Sequence, residues 1–185
     1  MSQLKLNITT PRLFIRNLKD IDLEDFYIYR SNPDITKYQG FDVMTLEEAQ
    51  IFIKEHTNKN FGKPGEWVQY AIENKETGNI VGDCAIKLNE SDIGIAEIGI
   101  TISHFEQKKG YAKETLSALM NFLFTSRNIH NIVETVDTEN IASIHLLKSL
   151  GFKQQGSIIE NIFFKGKWGS EVQFTLLKTE WHLSK

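Results

Sequence analysis

The feature that most constrains this chain is a change of hydrophobic period in its middle. From Ile95 to Ile102 the residues alternate, with Ile98, Ile100 and Ile102 on one face and Glu97, Gly99 and Thr101 on the other, the two-residue period of a strand. Ten residues later Ala112, Leu116, Leu119, Met120 and Leu123 recur at i, i+4, i+7, i+8 and i+11, the stripe of an amphipathic helix. Gln107-Lys108-Lys109-Gly110-Tyr111 lies between them. A strand that feeds a glycine turn and then a helix presents unsatisfied N–H groups and the positive end of a helix dipole, which attract phosphate. The run lacks the spaced glycines of a dinucleotide fingerprint and the Gly-Lys-Ser/Thr of a phosphate-binding P-loop.

The flanking sequence predicts a mixed α/β order. Arg12 to Arg16 alternates as a strand, and Asp20 to about Arg30 reads as a helix with Leu23, Phe26 and Tyr27 on one side. Thr45-Leu46-Glu47-Glu48 is a capping box, opening a helix whose apolar face is Leu46, Ala49, Phe52 and Ile53. Val68, Tyr70 and Ile72, the turn Glu76 to Asn79, and Ile80 to Leu88 form a hairpin. Ile132 to Val136 is a strand, Asn140 to Leu150 a helix stopped by Gly151, and Gly156 to Leu177 holds two more strands.

The chain has 185 residues with 21 basic and 24 acidic side chains, the size of one domain at roughly 100–200 residues each. We therefore expect a single domain over residues 1–185. A net charge of -3 argues against a nucleic-acid binder, which carries a basic face. Met1 to Asn7 lacks the apolar run of a signal peptide, and no stretch suits a membrane span. The lone Cys84 reads as a small core residue, and the five histidines lack metal-ligand spacing. No metal, no nucleic acid, no membrane and a cytoplasmic location are the expectations.

Gln107-x-x-Gly110-x-Ala112 resembles the acyl-CoA pyrophosphate loop of the GCN5-related N-acetyltransferases (GNAT). Thr10-Pro11-Arg12-Leu13-x-x-Arg16, Gly78-Asn79-Ile80-Val81-Gly82, Ala96-Glu97-Ile98-Gly99 and Asn140-x-x-Ser143-x-x-Leu146-Leu147-x-x-Leu150-Gly151-Phe152 follow in the family's order. Together they resemble its RimJ/RimL-type branch, which acetylates ribosomal-protein N-termini, over about residues 8 to 180.

The resemblance implies a mixed, mostly antiparallel sheet of about seven strands flanked by helices and splayed into a V-shaped acyl-CoA cleft. Acetyl-CoA would be the co-substrate, held by Ile100, Thr101 and Ile102 along the pantetheine, by Gln107, Lys108, Lys109, Gly110, Tyr111 and Ala112 at the pyrophosphate, and by Asn140 and Ser143 near the sulfur. A neutral amine would attack the thioester carbonyl directly, with Glu97 as base through a water and Ser143 or water protonating the thiolate. Many family members carry a tyrosine for that last step where this chain has Leu147. The acceptor would be a primary amine, foremost a protein N-terminus, with a polyamine or other small amine as the alternative. A non-catalytic acyl-CoA-binding module is the other function class. Tyr27, Tyr29, Tyr38, Phe41, Trp67 and Tyr70 are candidates for an acceptor pocket or for core. Monomer and homodimer are both compatible with the sequence.

Overall fold

A computed structural model describes residues 6–164 and 166–183, and the side chains of 157–162, 164, 167, 182 and 183 lie outside that description. The N-terminal reading on residues 1–5, and the readings on the side chains of Phe164 and His182, fall outside it too.

The elements follow the order β1 (Ile8–Thr9), β2 (Leu13–Asn17), α1 (Leu23–Arg30), α2 (Pro33–Thr36), α3 (Leu46–His56), β3 (Val68–Asn74), β4 (Ile80–Leu88), β5 (Ile95–Ile102), α4 (Tyr111–Ser126), β6 (Asn131–Asp137), α5 (Ile141–Ser149), β7 (Lys153–Phe164), β8 (Lys167–Leu177) and α6 (Lys178–Leu183). Among the described residues eight strands form one sheet in the order β1-β2-β3-β4-β5-β6-β8-β7. Every neighbouring pair is antiparallel except β5 and β6. The expected sheet is present, with one strand more than the sequence suggested. That strand, β1, has only two residues, too few for an alternation to show.

The parallel pair sets the shape. β5 and β6 meet only at Ile95↔Asn131, Ala96↔Ile132 and Glu97↔Val133, and past Glu97 and Val133 they are no longer paired. α4 is the crossover between them, as parallel neighbours require. Its Leu116, Leu119, Met120 and Leu123 are all fully buried, against a face of the sheet built from Cys84, Ile86, Ala96, Ile98 and Ile132. The opposite face carries a smaller cluster in which Phe26, Tyr29, Ala49 and Ile53 of α1 and α3 pack on Ala71 and Ile80.

Both capping predictions hold. Thr45 Oγ1 accepts from Glu48 N–H at 3.2 Å while Glu48 Oε2 accepts from Thr45 N–H at 2.7 Å, and Gly151 follows α5 with φ of 89°, the left-handed conformation of a helix stop. One residue of the predicted α3 face is corrected. Leu46 is 53% exposed, because it is the first residue of the helix and packing against α1 and β3 starts one turn later, at Ala49. Cys84 is fully buried, and burial pushes its thiol pKa up.

Candidate active site

The parting of β5 from β6 opens a cleft with two connected parts. The larger, about 640 Å³, runs from Ile100, Thr101 and Ile102 to the start of α4 and along the face of α5. The smaller, about 200 Å³, sits at the apex where the strands separate, between Glu97, Gly99, Glu134 and Ser143. Tyr38, Gln39, Ile100, Asn140 and Ser143 border both.

The N-terminal motif explains how the α4 end of the cleft is held. Thr10 Oγ1 and Arg12 N–H donate to Glu114 Oε1 at 2.6 and 3.0 Å, and Arg12 Nε donates to Glu114 Oε2 at 2.7 Å. Arg12 Nη1 also donates to the Lys109 carbonyl at 3.0 Å, and its guanidinium lies 4.6 Å from the Tyr111 ring centre. Glu114, the one acid in the first turn of α4, is thereby engaged from outside and does not cap the helix. Gly110 stands at the N-cap with φ of 84° and no side chain to cap with. Its left-handed conformation suits glycine, and the first-turn N–H groups are left for an anion. Lys108 and Lys113 border the same end. A groove of this volume, ending in free amides and two ammonium groups, fits a long polar ligand with a phosphate terminus.

Ten of the eleven residues assigned to acetyl-CoA from the sequence border the groove: Ile100, Thr101, Ile102, Gln107, Lys108, Gly110, Tyr111, Ala112, Asn140 and Ser143. Lys109 does not; its ammonium pairs with Glu106 at 2.9 Å. Asn140 serves as cap and cleft wall at once: its Oδ1 accepts from Ser143 N–H at 3.2 Å. Gln107 Nε2 donates to the Ile102 carbonyl at 3.3 Å, tying the turn back to β5.

Glu97 borders the apex cavity from the face of the sheet that carries α1 and α3. It pairs across the strands with Lys87, Nζ to Oε2 at 2.8 Å, and the same Nζ lies 4.9 Å from the Trp67 ring centre. Gly99, next on that face, meets only Ala85 Cβ at 3.9 Å where a Cβ would stand, so its missing side chain leaves room beside Glu97. Of the aromatic candidates, Tyr38 and Trp67 border the cleft, whereas Tyr29 and Tyr70 are core and Phe41 lies over Arg30, 4.2 Å from ring centre to guanidinium carbon.

Two elements of the site escape a sequence reading. Gln39, just after α2, is joined to β5 by the Thr101 hydroxyl, which donates to its Oε1 at 3.2 Å. Glu134 borders the apex cavity from the opposite side to Glu97. It shares a face with Ile132 and Val136, is 9% exposed, and burial pushes its pKa up to about 8. Its Oε2 has no hydrogen-bond partner among the described residues. The signal was present in Ile132-Val133-Glu134-Thr135-Val136, where the glutamate falls on the apolar phase of the alternation.

The wall behind Gln39 is fixed by a buried ion pair. Arg30 Nη2 and Nε donate to Asp83 Oδ1 and Oδ2 at 2.6 and 3.1 Å, Tyr29 Oη donates to Oδ2 at 2.8 Å and Gln69 Nε2 to Oδ1 at 2.7 Å. No three-member cluster of metal-ligating side chains occurs among the described residues. No helix among them is long and apolar enough to cross a membrane.

Comparison with known proteins agrees with this architecture. Residues 12–153 match the family model described as acetyltransferase (GNAT) domain. An uncharacterized N-acetyltransferase, p20 of Bacillus licheniformis, is 31% identical, with 93% of this chain and 96% of the relative covered. A GNAT-family acetyltransferase from Bacillus anthracis superposes with a TM-score of 0.86 at 23% identity, covering 95% of this chain and all of that one. The spermidine N-acetyltransferase from Vibrio cholerae in complex with CoA and spermine superposes with a TM-score of 0.77 at 22% identity, covering 94% and 99%. The splayed sheet, the anion-ready start of α4 and the motifs in register have one common account: this chain belongs to the acetyltransferase (GNAT) family, enzymes that use acetyl-CoA to acetylate an amine.

Proposed function

We propose that the chain transfers the acetyl group of acetyl-CoA directly to a protein N-terminal amine, in the manner of the RimJ/RimL-type branch. The parting of β5 and β6 carries this reading. Beyond Glu97↔Val133 both strands present an edge without a strand partner, so one edge can take the pantetheine amides and the other an extended peptide main chain. The ten groove-lining residues named above hold acetyl-CoA, with the pyrophosphate on the α4 end. The thioester then lies at the apex cavity, between Glu97 and Ser143.

In this reading the amine arrives from the face of Tyr38 and Trp67. Glu97 takes its proton through a water, and Ser143 is placed to interact with the leaving sulfur. Lys87 holds the Glu97 carboxylate toward the cavity wall and is itself held over Trp67. Glu97→Gln is expected to abolish transfer and leave acetyl-CoA affinity unchanged; retained turnover removes Glu97 from the base role.

A second acceptor class is favoured by the lining itself. Tyr38, Trp67, Glu97 and Asp137 surround a cavity of about 200 Å³, which suits a narrow ammonium-bearing chain, as in a polyamine. The deciding experiment is mass-resolved acetyl transfer from acetyl-CoA to a mixed panel of Ser- and Ala-starting peptides, ribosomal proteins, spermidine and spermine, and amino sugars. A peptide product supports the first reading, and a polyamine product alone replaces it with the second. Acetyl-CoA binding with no product from any amine overturns both.

A further inference from the structure

The apex cavity is bordered by two glutamates in opposite circumstances. Glu97 lies on the α1 and α3 face, 28% exposed and ion-paired with Lys87. Glu134 is one position further along β6 than Val133, the partner of Glu97, and so falls on the other face, with Ile98 and beside α5. It is buried, its Oε2 has no hydrogen-bond partner among the described residues, and it pairs across the sheet with Phe174 of β8, which is fully buried. A buried carboxyl with no cation beside it is held in its neutral form, and burial alone is what raises its pKa to about 8. A neutral carboxyl is a hydrogen-bond donor, and here it borders an otherwise amine-ready cavity.

What such a donor can do follows from the reaction. When the C–S bond of the thioester breaks, its electron pair goes to sulfur, whose conjugate acid has a pKa of about 8.5 by analogy with a free thiol. On the α5 side, Asn140 and Ser143 border the cavity with Glu134. An amide and a hydroxyl are far weaker acids than a thiol, and Leu147 of α5 is 1% exposed in the core with no proton to offer. The remaining titratable groups at the cavity are Glu97, Asp137 and Tyr38. Glu97 and Asp137 are on the other face, where Asp137 accepts from Glu139 N–H at 2.7 Å, and the Tyr38 hydroxyl, on the loop after α2, is engaged by Lys37 Nζ at 2.9 Å. His145 borders the larger groove rather than the apex.

We propose that Glu134 is a catalytic acid of this enzyme: its carboxylic proton passes to the sulfur as the amine nitrogen bonds to the carbonyl carbon and the C–S bond breaks. The products are the amide, CoA as the free thiol, and the Glu134 carboxylate, which is reprotonated from solvent when CoA leaves. The proton lost by the attacking nitrogen leaves separately, toward Glu97. Donor and acceptor acidities are close, the condition in which acid catalysis is most effective. The assignment rests on the acetyl-CoA placement proposed above.

Glu134→Gln tests it, since the amide keeps the shape and removes the acidic proton. The expected result is a fall in kcat of about a hundredfold or more, with KM for acetyl-CoA within about twofold; the native enzyme is expected to lose kcat above pH about 8, where Glu134 ionises, and the variant to lack that decline. A second readout needs no acceptor: the ultraviolet thiolate absorbance of CoA bound to the protein, followed against pH. A neutral carboxyl that donates to the sulfur stabilises the thiolate and an ionised one opposes it, so replacing the acid with an amide is expected to move the titration of the bound thiol. Unchanged kcat and pH profile, or an unmoved thiol titration, overturns the proposal. Should Glu134→Gln not fold, Glu134→Asp takes its place, with a shortened reach costing kcat and a native kcat refuting the role. If the native protein acetylates no amine, the acetyltransfer reading fails, while the thiol titration still decides whether Glu134 meets the sulfur.

Discussion

Asp83→Ala isolates the contribution of the buried pair behind the acceptor wall. Arg30 and Asp83 are each 0% exposed, and Arg30 Nη1 already lacks a hydrogen-bond partner among the described residues. Removing the carboxylate leaves a guanidinium in the core, with the Tyr29 hydroxyl and the Gln69 amide also deprived of their acceptor. Breaking a buried pair from one side costs about 3–5 kcal/mol. For a chain of this size that corresponds to a fall in melting temperature of about 6–20 °C, at 2–4 °C per kcal/mol. In urea it is a shift of the midpoint by roughly 2 M if the slope is about 2 kcal/mol/M. The aromatic rings around Arg30, Phe26 and Phe41 among them, soften the loss only slightly, since a desolvated cation–π contact is worth about 2 kcal/mol and is made in the native state as well. Replacing both partners with apolar residues, Arg30→Met with Asp83→Leu, is expected to recover most of the stability, because neither charge is then left in the core. Equilibrium urea unfolding of the two variants and the native chain measures this directly. A loss below about 1 kcal/mol in Asp83→Ala, the range of an exposed pair, would refute the reasoning, since water would then be reaching Arg30.

Gly110→Glu is expected to abolish acetyl-CoA binding, measured by calorimetry, because it places bulk and a negative charge at the phosphate end of the groove; unchanged affinity would move the pyrophosphate elsewhere. Ser143→Ala should slow turnover only modestly, since a hydroxyl is a far weaker acid than a thiol and Glu134 remains as proton donor, and an unchanged rate at saturating amine would remove Ser143 from the chemistry. For stability, burial raises the Glu134 pKa from the ordinary 4.5 of an unfolded chain to about 8. The folded state therefore keeps a proton that the unfolded chain gives up as pH rises from 4.5 to 8, and the native protein loses stability across that window. Glu134→Gln lacks this loss, so its advantage should grow with pH and reach at most about 3 kcal/mol at pH 7. A gap between the two unfolding curves that stays constant from pH 4.5 to 8 would show that Glu134 is not desolvated.

Much of this arrangement is legible in the sequence because it is local. The alternation in Ile95 to Ile102, the stripe from Ala112 to Leu123 and the Thr45–Glu48 capping box are each decided within a dozen residues, and the structure shows each of them. What the sequence leaves out depends on where strands stop pairing. Nothing in Glu97 or Val133 signals that they are the last parallel partners, yet that single event places Glu134 at a cavity rather than inside a continuous sheet. Lys87 and Glu97 lie on strands joined by a long turn, and their ion pair needs the β4–β5 register to bring them together. Tyr38 and Gln39 sit in a stretch without period, and only the bond from Thr101 fixes their place beside β5.

The three-residue seam between β5 and β6 divides the sheet into a five-stranded half and a three-stranded half. A ligand whose amides bond along the open edge would act as a partial ninth strand, joining the halves that the chain itself joins only at the apex. Its binding energy then appears as folding energy, about 2.7 kcal/mol when the ligand is at a hundred times its dissociation constant. Amide protons of Ile98 to Ile102 should exchange with solvent more slowly when CoA is bound, while those deep in β3 and β4 barely change. On that placement the protein would be assembled to different degrees at different stages of its cycle, and product release would loosen the sheet along the same line.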